Sequence, residues 1–412
     1  MVGAGSTACA VTLATTPLVI AYLRRLSVLD VAGDRTLHTR PTPRGGGAAV
    51  VLGLFSGVLV TVLTSGRASA PDLLPMTLAI ALFGMLGLAE DVSGDIGGIT
   101  PLRRLALQTL AAAAVAAVTV VSVTVGVGRP GLGMLLAAAV VGPVWLTGFV
   151  NAFNFMDGVN GISAAQATVA GTGYALVGTL HHSPPLVAGG AVLAGAALGF
   201  APFNVPRALV FLGDVGSYAF GGAIAALALQ AAVSGVPVEA VAAPVVLYLA
   251  DTVTTLARRV RAGDRWYLPH RSHAYQRLVT AGWSHTAVAG YTGALAACCA
   301  ALGLVAAAGV TVPVRVCGDL MICFLVSRYL GTPRRIASRQ GATDALADAP
   351  AQTPAGRSAD DATGRLADDL TDGSAAGPRD HAAGEPAQKP ADGTVTVPAQ
   401  RASVERVTDP VK

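Results

Sequence analysis

The sequence predicts an all-α fold: a polytopic membrane protein with about 11 transmembrane helices, N-terminus out and C-terminus in. Three observations predict it. Of the 412 residues, 53% are hydrophobic and only 13% charged, and mean hydropathy is +0.59; a soluble domain carries roughly a quarter charged residues. The apolar residues gather into stretches close to the ~20 residues that cross a bilayer. The arginines fall in alternate connections between those stretches.

The expected spans run in order. The first, 3–23, has no basic region before it and is followed by Arg24 and Arg25, so it reads as a membrane helix rather than a cleaved signal peptide. The second, 46–64, opens on Gly45, Gly46 and Gly47; the third, 73–90, closes on Glu90 and Asp91. The next four are 105–127, 132–150, 161–180 and 186–203, the last being the weakest because Pro202 and Pro206 break its end. Then follow 215–233, 237–257, 285–308 and 312–330, the final one interrupted by Arg315 and Asp319. Ala, Val, Leu and Gly supply the apolar surface, and small residues suit close helix approach in lipid.

Orientation follows from charge. The first connection holds Arg24, Arg25, Arg35, Arg40 and Arg44, the third Arg103 and Arg104, and the ninth Arg258, Arg259, Arg261, Arg265, Arg271 and Arg277. The alternate connections hold little beyond Arg67 and Arg129. Arginines favour the cytoplasmic face, so the odd connections face inward. The expected domains are an integral-membrane unit over 1–335 and a disordered cytoplasmic tail over 336–412, where no apolar period survives to offset the entropy of ordering. The net charge of +4 does not point to nucleic acid, and the five cysteines lie in apolar stretches without metal-ligand spacing.

Polar residues at membrane depth are costly and call for a reason. Glu90 and Asp91 are adjacent carboxylates that repel each other and need a cation or basic partners; Arg103 and Arg104 follow in the next connection, although solvated helix ends explain the pair equally well. Asn151, Asn154, Asp157 and Asn160 recur every third residue in NAFNFMDGVNG, a spacing that places them near one face of a helical turn. Their oxygens suit Mg2+; the bland alternative is turn chemistry at Asp157–Gly158 with Asn160 as an N-cap. Asp214 in FLGDVGS is an N-cap or a metal ligand, and Asp251 within the ninth span is either half of an internal ion pair with Arg258 or part of a site. The run HTRPTPRGGG, with Arg44, offers glycine N–H groups and arginines to an anion. His270, Arg271 and His273 form a second basic cluster, suited to phosphate more than to zinc because no Cys or third His is near.

In this order, HTRPTPRGGG, GLAED, NAFNFMDGVNG, FLGDVGS, ADTVTTLARR and HRSHAYQRL resemble the motifs of the polyprenyl-phosphate N-acetylhexosamine-1-phosphate transferases, over roughly residues 20–330. HRSHAYQRL is more similar to the O-antigen-type initiating members than to the HHH pattern of the phospho-MurNAc-pentapeptide transferase. The resemblance implies a multi-pass plasma-membrane enzyme with a cytoplasmic site. It implies Mg2+ as cofactor, with Mn2+ as a substitute, and Asp214 and Asn154 as metal ligands. It implies Glu90, Asp91, Asp157 and Asp214 as catalytic residues. Arg44, Arg103, Arg104, Asn151, Asn160, His270, Arg271 and His273 would then bind substrate. Three departures stand out: Glu90 replaces an Asp, Asn160 stands where some members have a second Asp, and no lysine occurs before Lys389, so arginines must do the work of the family's lysines.

The reaction so implied joins UDP-HexNAc and polyprenyl phosphate to give polyprenyl-diphospho-HexNAc and UMP, the initiating step of a cell-envelope glycan, within membrane lipid and with a homodimer left open. The alternatives are the pentapeptide transferase of peptidoglycan synthesis and, in a different class, a transporter or an inactive scaffold. A transporter would set its polar residues near the midplane of two related halves, and no internal repeat is visible.

Overall fold

The computed structural model describes residues 2–30, 41–65, 70–93, 99–126, 131–264 and 270–347. His38, Arg35, Arg40, Arg67, Arg129, Arg265 and the tail from 348 onward lie outside the described residues.

The architecture is all-α. Helices α1 (Val2–Arg25), α2 (Gly47–Ser65), α3 (Ala70–Ser93), α4 (Pro101–Gly126), α5 (Leu132–Met156), α6 (Ile162–Leu180), α7 (Pro184–Asn204) and α8 (Gly213–Val233) succeed one another. The expected ninth span is broken: α9 (Val238–Ala242), a 3₁₀ turn over Ala243–Val245, and α10 (Val246–Arg261). Pro244 sits in the turn, where its missing N–H cannot continue the ladder. A short α11 (Ala274–Thr280), then α12 (His285–Ala307) and α13 (Val312–Ala347), complete the helices.

Among the described residues, nine segments are long and apolar enough to cross a membrane. They include Pro184–Asn204, the span expected to be weakest, whose helix continues through Pro202 to Asn204. Helices α6 and α13 are not among the nine: α6 carries Ser, Gln, Thr and Gly throughout, and α13 carries Arg315, Asp319 and Arg328. Helix α13 also runs past the boundary expected near 335, because Arg334–Ala347 lacks an apolar period but is rich in good helix formers.

Helix α8 is the axis of the bundle. It is buried nearly all round, as a helix without a polar face must be. Its small residues let neighbours come close. A Cβ on Gly47 of α2 would overlap the backbone of Gly216, and one on Gly87 of α3 would overlap the carbonyl oxygen of Asp214. These crossings bring the start of α2 and the end of α3 onto the first turn of α8.

Two features are not expected from sequence. Strand β1 (Leu29–Asp30) pairs antiparallel with β2 (Thr42–Pro43), and Arg44 bridges in parallel to Phe211. The N–H groups of Gly45 and Gly46 donate to the Phe211 carbonyl at 3.3 and 2.9 Å, and that of Gly47 donates to the Leu212 carbonyl at 2.8 Å. The expectation that these glycine N–H groups grip an anion is therefore corrected. They stitch two loops together.

Candidate active site

Where the ends of α5 and α7 and the starts of α8 and α12 meet α11 and the β1–β2 pair, a pocket of about 300 Å³ opens, with Arg44, Asn154, Asp157, Asn160 and Asp214 in its lining. Asp214 stands in the first turn of α8, directly after Gly213, whose φ of +75° is the left-handed conformation glycine tolerates. Asn154, in the last turn of α5, donates through Nδ2 to Asp214 Oδ1 and Ser217 Oγ, both at 2.9 Å. Its Oδ1 is left as the atom available to a ligand. Asp157 caps the end of α5 and accepts from Ser163 Oγ at 2.6 Å.

Arg44 lies between two carboxylates. Its Nε is 3.0 Å from Asp91 Oδ1 and a terminal nitrogen is 3.0 Å from Asp214 Oδ2. Burial works against its charge, yet Asp214, Asp91 and Asp30 together hold its pKa above the ordinary arginine value. Asp91 is not itself a pocket wall. Its side chain is only 5% exposed and accepts the backbone N–H groups of Asp214 at 3.0 Å and Val215 at 2.9 Å. It caps α8 from the neighbouring helix, satisfying two N–H groups that a helix start leaves without partners.

Burial pushes the Asp157 carboxyl up to about 7; the Ser163 hydroxyl pulls the other way and nearby Asp214 adds to the rise. A carboxylate balanced near neutrality at a pocket is the kind of group that chemistry uses.

The other sequence-predicted residues divide. Glu90 reaches Arg104 only at 4.0 Å, and its Oε1 is buried without a hydrogen-bond partner among the described residues. Arg103 is exposed on the first turn of α4. Asn160 lines the pocket, its N–H 3.5 Å from His285 Nδ1. Asn151 turns away, with Nδ2 on Gln108 Oε1 at 2.7 Å and on the Thr147 carbonyl at 2.8 Å. The shared face expected for Asn151, Asn154, Asp157 and Asn160 does not form: three residues fall about 60° short of a full turn, so the row drifts around the helix, and the helix stops at Met156.

His270, Arg271 and His273 do not line the pocket. His273 is buried, with Nδ1 3.3 Å from Asp251 Oδ1, so its ring is committed inward. His270 stacks on it at 5.0 Å, and burial, with His273 and Arg259 close by, lowers the His270 pKa to about 4. Arg271 is exposed. Asp251 partners His273 and the start of α11, while Arg258 instead bonds Thr254, Thr255 and Ser272. Sequence reasoning missed Asp30, Asn204, Gln276 and His285, all of which line the pocket. Asn204 is the most firmly placed, accepting from Gly161 N–H at 2.6 Å and donating to the Val210 carbonyl at 3.0 Å.

The donor set fits Mg2+. Among the described residues no group of three or more His, Cys, Asp or Glu side chains is placed to hold a metal. Asp157, Asp214 and Asn154 Oδ1 nevertheless present hard oxygens to one pocket, and Mg2+ commonly takes only one or two carboxylates, completing its shell with water and substrate phosphate.

Residues 73–232 match the glycosyl transferase family 4 model. That stretch carries Glu90, Asp91, Asn154, Asp157 and Asp214. The chain is 30% identical over 315 residues to the decaprenyl-phosphate N-acetylglucosaminephosphotransferase of Mycobacterium leprae (strain TN), covering 69% of this chain and 78% of that protein. It is likewise 30% identical over 312 residues to the enzyme of that description from Mycolicibacterium smegmatis (strain ATCC 700084 / mc(2)155), covering 68% and 76%. The phospho-N-acetylmuramoyl-pentapeptide-transferase of Symbiobacterium thermophilum is 29% identical over 251 residues, covering 56% and 73%.

Proposed function

The chain belongs to glycosyl transferase family 4, and on that footing we propose that it transfers HexNAc-1-phosphate from a UDP-sugar to a polyprenyl phosphate, with release of UMP, to begin a cell-envelope glycan. The observation that carries this reading is Arg44 held between Asp91 and Asp214 at a pocket that also contains Asp157 and Asn154. Arg44 brings a fixed positive charge to a donor pyrophosphate, and its two carboxylate partners keep the planar guanidinium oriented. Asp214 and Asn154 would hold Mg2+, which when bound neutralises charge on the pyrophosphate.

An oxygen of the lipid phosphate attacks the sugar-linked phosphorus, the bond from that phosphorus to the bridging oxygen breaks, and UMP leaves with that oxygen. A phosphate monoester has a second pKa of about 6, so the nucleophile is already largely a dianion at neutral pH. Asp157, balanced near neutrality, takes up the residual proton. Asp91 supports the site from behind. Arg103 and Arg104, at the start of α4, receive the lipid phosphate, and Glu90, 4.0 Å from Arg104, orients that arginine. Asn160, Gln276 and His285 form the wall that meets the sugar nucleotide. The site faces the cytoplasm of a multi-pass plasma-membrane protein, with the N-terminus out, as the arginine distribution supports.

The donor is a simple UDP-HexNAc, UDP-GlcNAc first among them. The greater coverage of the N-acetylglucosamine enzymes supports this. The test is mass spectrometry of the lipid product from purified enzyme in detergent, offered Mg2+, polyprenyl phosphate and a panel of UDP-sugars. A polyprenyl-diphospho-HexNAc product with UMP is expected. Preferential turnover of UDP-MurNAc-pentapeptide would move the chain to peptidoglycan synthesis, and no turnover of any donor would sink the proposal.

A further inference from the structure

Beside the pocket, Asp251 of α10 is a fully buried carboxylate with an unusual number of partners. It accepts the N–H groups of Ala274 at 2.9 Å and Tyr275 at 3.4 Å, the Thr255 hydroxyl at 3.1 Å and the Tyr329 hydroxyl at 2.8 Å. The His273 ring nitrogen lies 3.3 Å away. Three elements, α10, α11 and α13, thus meet on one side chain. Helix α11 has seven residues, too few to hold itself without a tertiary anchor. Asp251 is that anchor.

Tyr275 is buried, and its hydroxyl donates to the Phe155 carbonyl at 2.8 Å, in the last turn of α5. That carbonyl is one of the helix-end acceptors with no partner in its own helix. A Cβ on Gly158 would overlap the same hydroxyl, so the loop after Asp157 rests on the tyrosine. The adjacent Gln276 lines the pocket.

We propose that Asp251 and Tyr275 are positioning residues: Asp251 fixes α11, and Tyr275 on α11 sets the Asp157 loop and with it the donor-binding wall of the pocket. Neither touches substrate. Both act through Asp157, Gly158 and Gln276. The proposal rests on the reading of this pocket as the sugar-nucleotide site.

The test compares full-length wild type, Tyr275→Phe and Asp251→Asn in detergent by two readouts. The first is KM for UDP-HexNAc against KM for polyprenyl phosphate. The second is hydrogen exchange of the backbone amides of residues 157–161. Tyr275→Phe removes one buried hydrogen bond and keeps the ring, so the expected result is a donor KM raised roughly five- to tenfold, an unchanged lipid KM, and faster exchange at 157–161. Asp251→Asn should shift the same quantities in the same direction. A loss of kcat alone, with both KM values unchanged, would mark a merely structural role and overturn the proposal, as would an equal rise in both KM values. If Asp251→Asn fails to fold, Tyr275→Phe decides. If the wild type turns over no UDP-HexNAc, the functional reading fails and exchange alone judges the positioning role: faster exchange in Tyr275→Phe supports it and unchanged exchange overturns it.

Discussion

Asp91 accepts the backbone N–H of Asp214 at 3.0 Å, so one aspartate of the site determines where the other stands. Arg44 closes the arrangement by pairing with both. Removing the first carboxylate therefore has two consequences: a helix start loses its cap and an arginine loses a partner. Asp91→Ala should destabilise the protein by about 1–2 kcal/mol, and Asp91→Asn by about 1–3 kcal/mol, because the two N–H groups sit on different carboxylate oxygens and an amide offers one acceptor and turns its NH2 toward a donor. Thermal unfolding in detergent checks this; near-wild-type stability of both variants would show that the cap contributes nothing.

Asp214→Asn should separate stability from catalysis. The substitution is nearly isosteric, so the melting temperature should hold. An amide oxygen brings no formal charge to a cation, and the loss of roughly 3–4 kcal/mol of transition-state stabilisation lowers the rate by two to three orders of magnitude. UMP release across a Mg2+ titration is the measurement. Near-wild-type turnover would remove Asp214 from the chemistry.

Asp157 should leave a signature in pH. Its carboxyl is pushed up to about 7 from an ordinary value of 3.8. The folded protein then holds this proton more tightly than the unfolded chain. Stability from this group is greatest below about pH 4, is lost progressively as pH rises toward 7, and is flat beyond. Without Mg2+ or substrate, the melting temperature of wild type relative to Asp157→Asn should fall between pH 5 and 7. A pH-independent difference between the two would contradict the raised pKa.

Two glycines should respond oppositely to alanine. Gly87→Ala places a Cβ onto the Asp214 carbonyl oxygen, so α3 must move off α8, at a cost of about 1–3 kcal/mol or more. Gly290 lies on α12 with nothing within 4 Å of an added Cβ, so Gly290→Ala should be neutral or stabilising by up to ~1 kcal/mol through helix propensity. Unfolding midpoints of the pair decide; if both are neutral, the α3–α8 crossing is looser than the close approach of Gly87 implies.

Much of the fold and part of the site are legible in the sequence. Apolar length marks where the helices run, and the expense of burying Asp214, Asn154 and Asp157 marks them for a site. Asn151 misleads because a three-residue spacing looks like a face over one step and drifts off it over three. The glycine run misleads because a free N–H and one already spoken for have the same sequence; only the distant Phe211 and Leu212 carbonyls distinguish them. Asp30, Asn204 and His285 carry no local pattern at all, and Gln276 sits in HRSHAYQRL without anything that sets it apart from its neighbours. They reach the pocket through contacts between chain segments far apart in sequence. The capping role of Asp91 is hidden for the same reason, since the N–H groups it caps lie more than a hundred residues away.

The stitching between Pro43–Gly47 and Phe211–Leu212 has a mechanical consequence. Phe211 N–H donates back to the Pro43 carbonyl at 2.8 Å, so hydrogen bonds cross the seam in both directions. Shearing one loop past the other would break all of them together, which makes Arg44 and Asp214 parts of a single stiff jaw. Widening the pocket at this seam would cost those bonds, whereas the opposite wall is the Asp157 loop with the short helix beneath it. On that wall the cross-segment contacts come from side chains: Tyr275 to the Phe155 carbonyl, Ser163 to Asp157 and Asn204 to the Gly161 N–H.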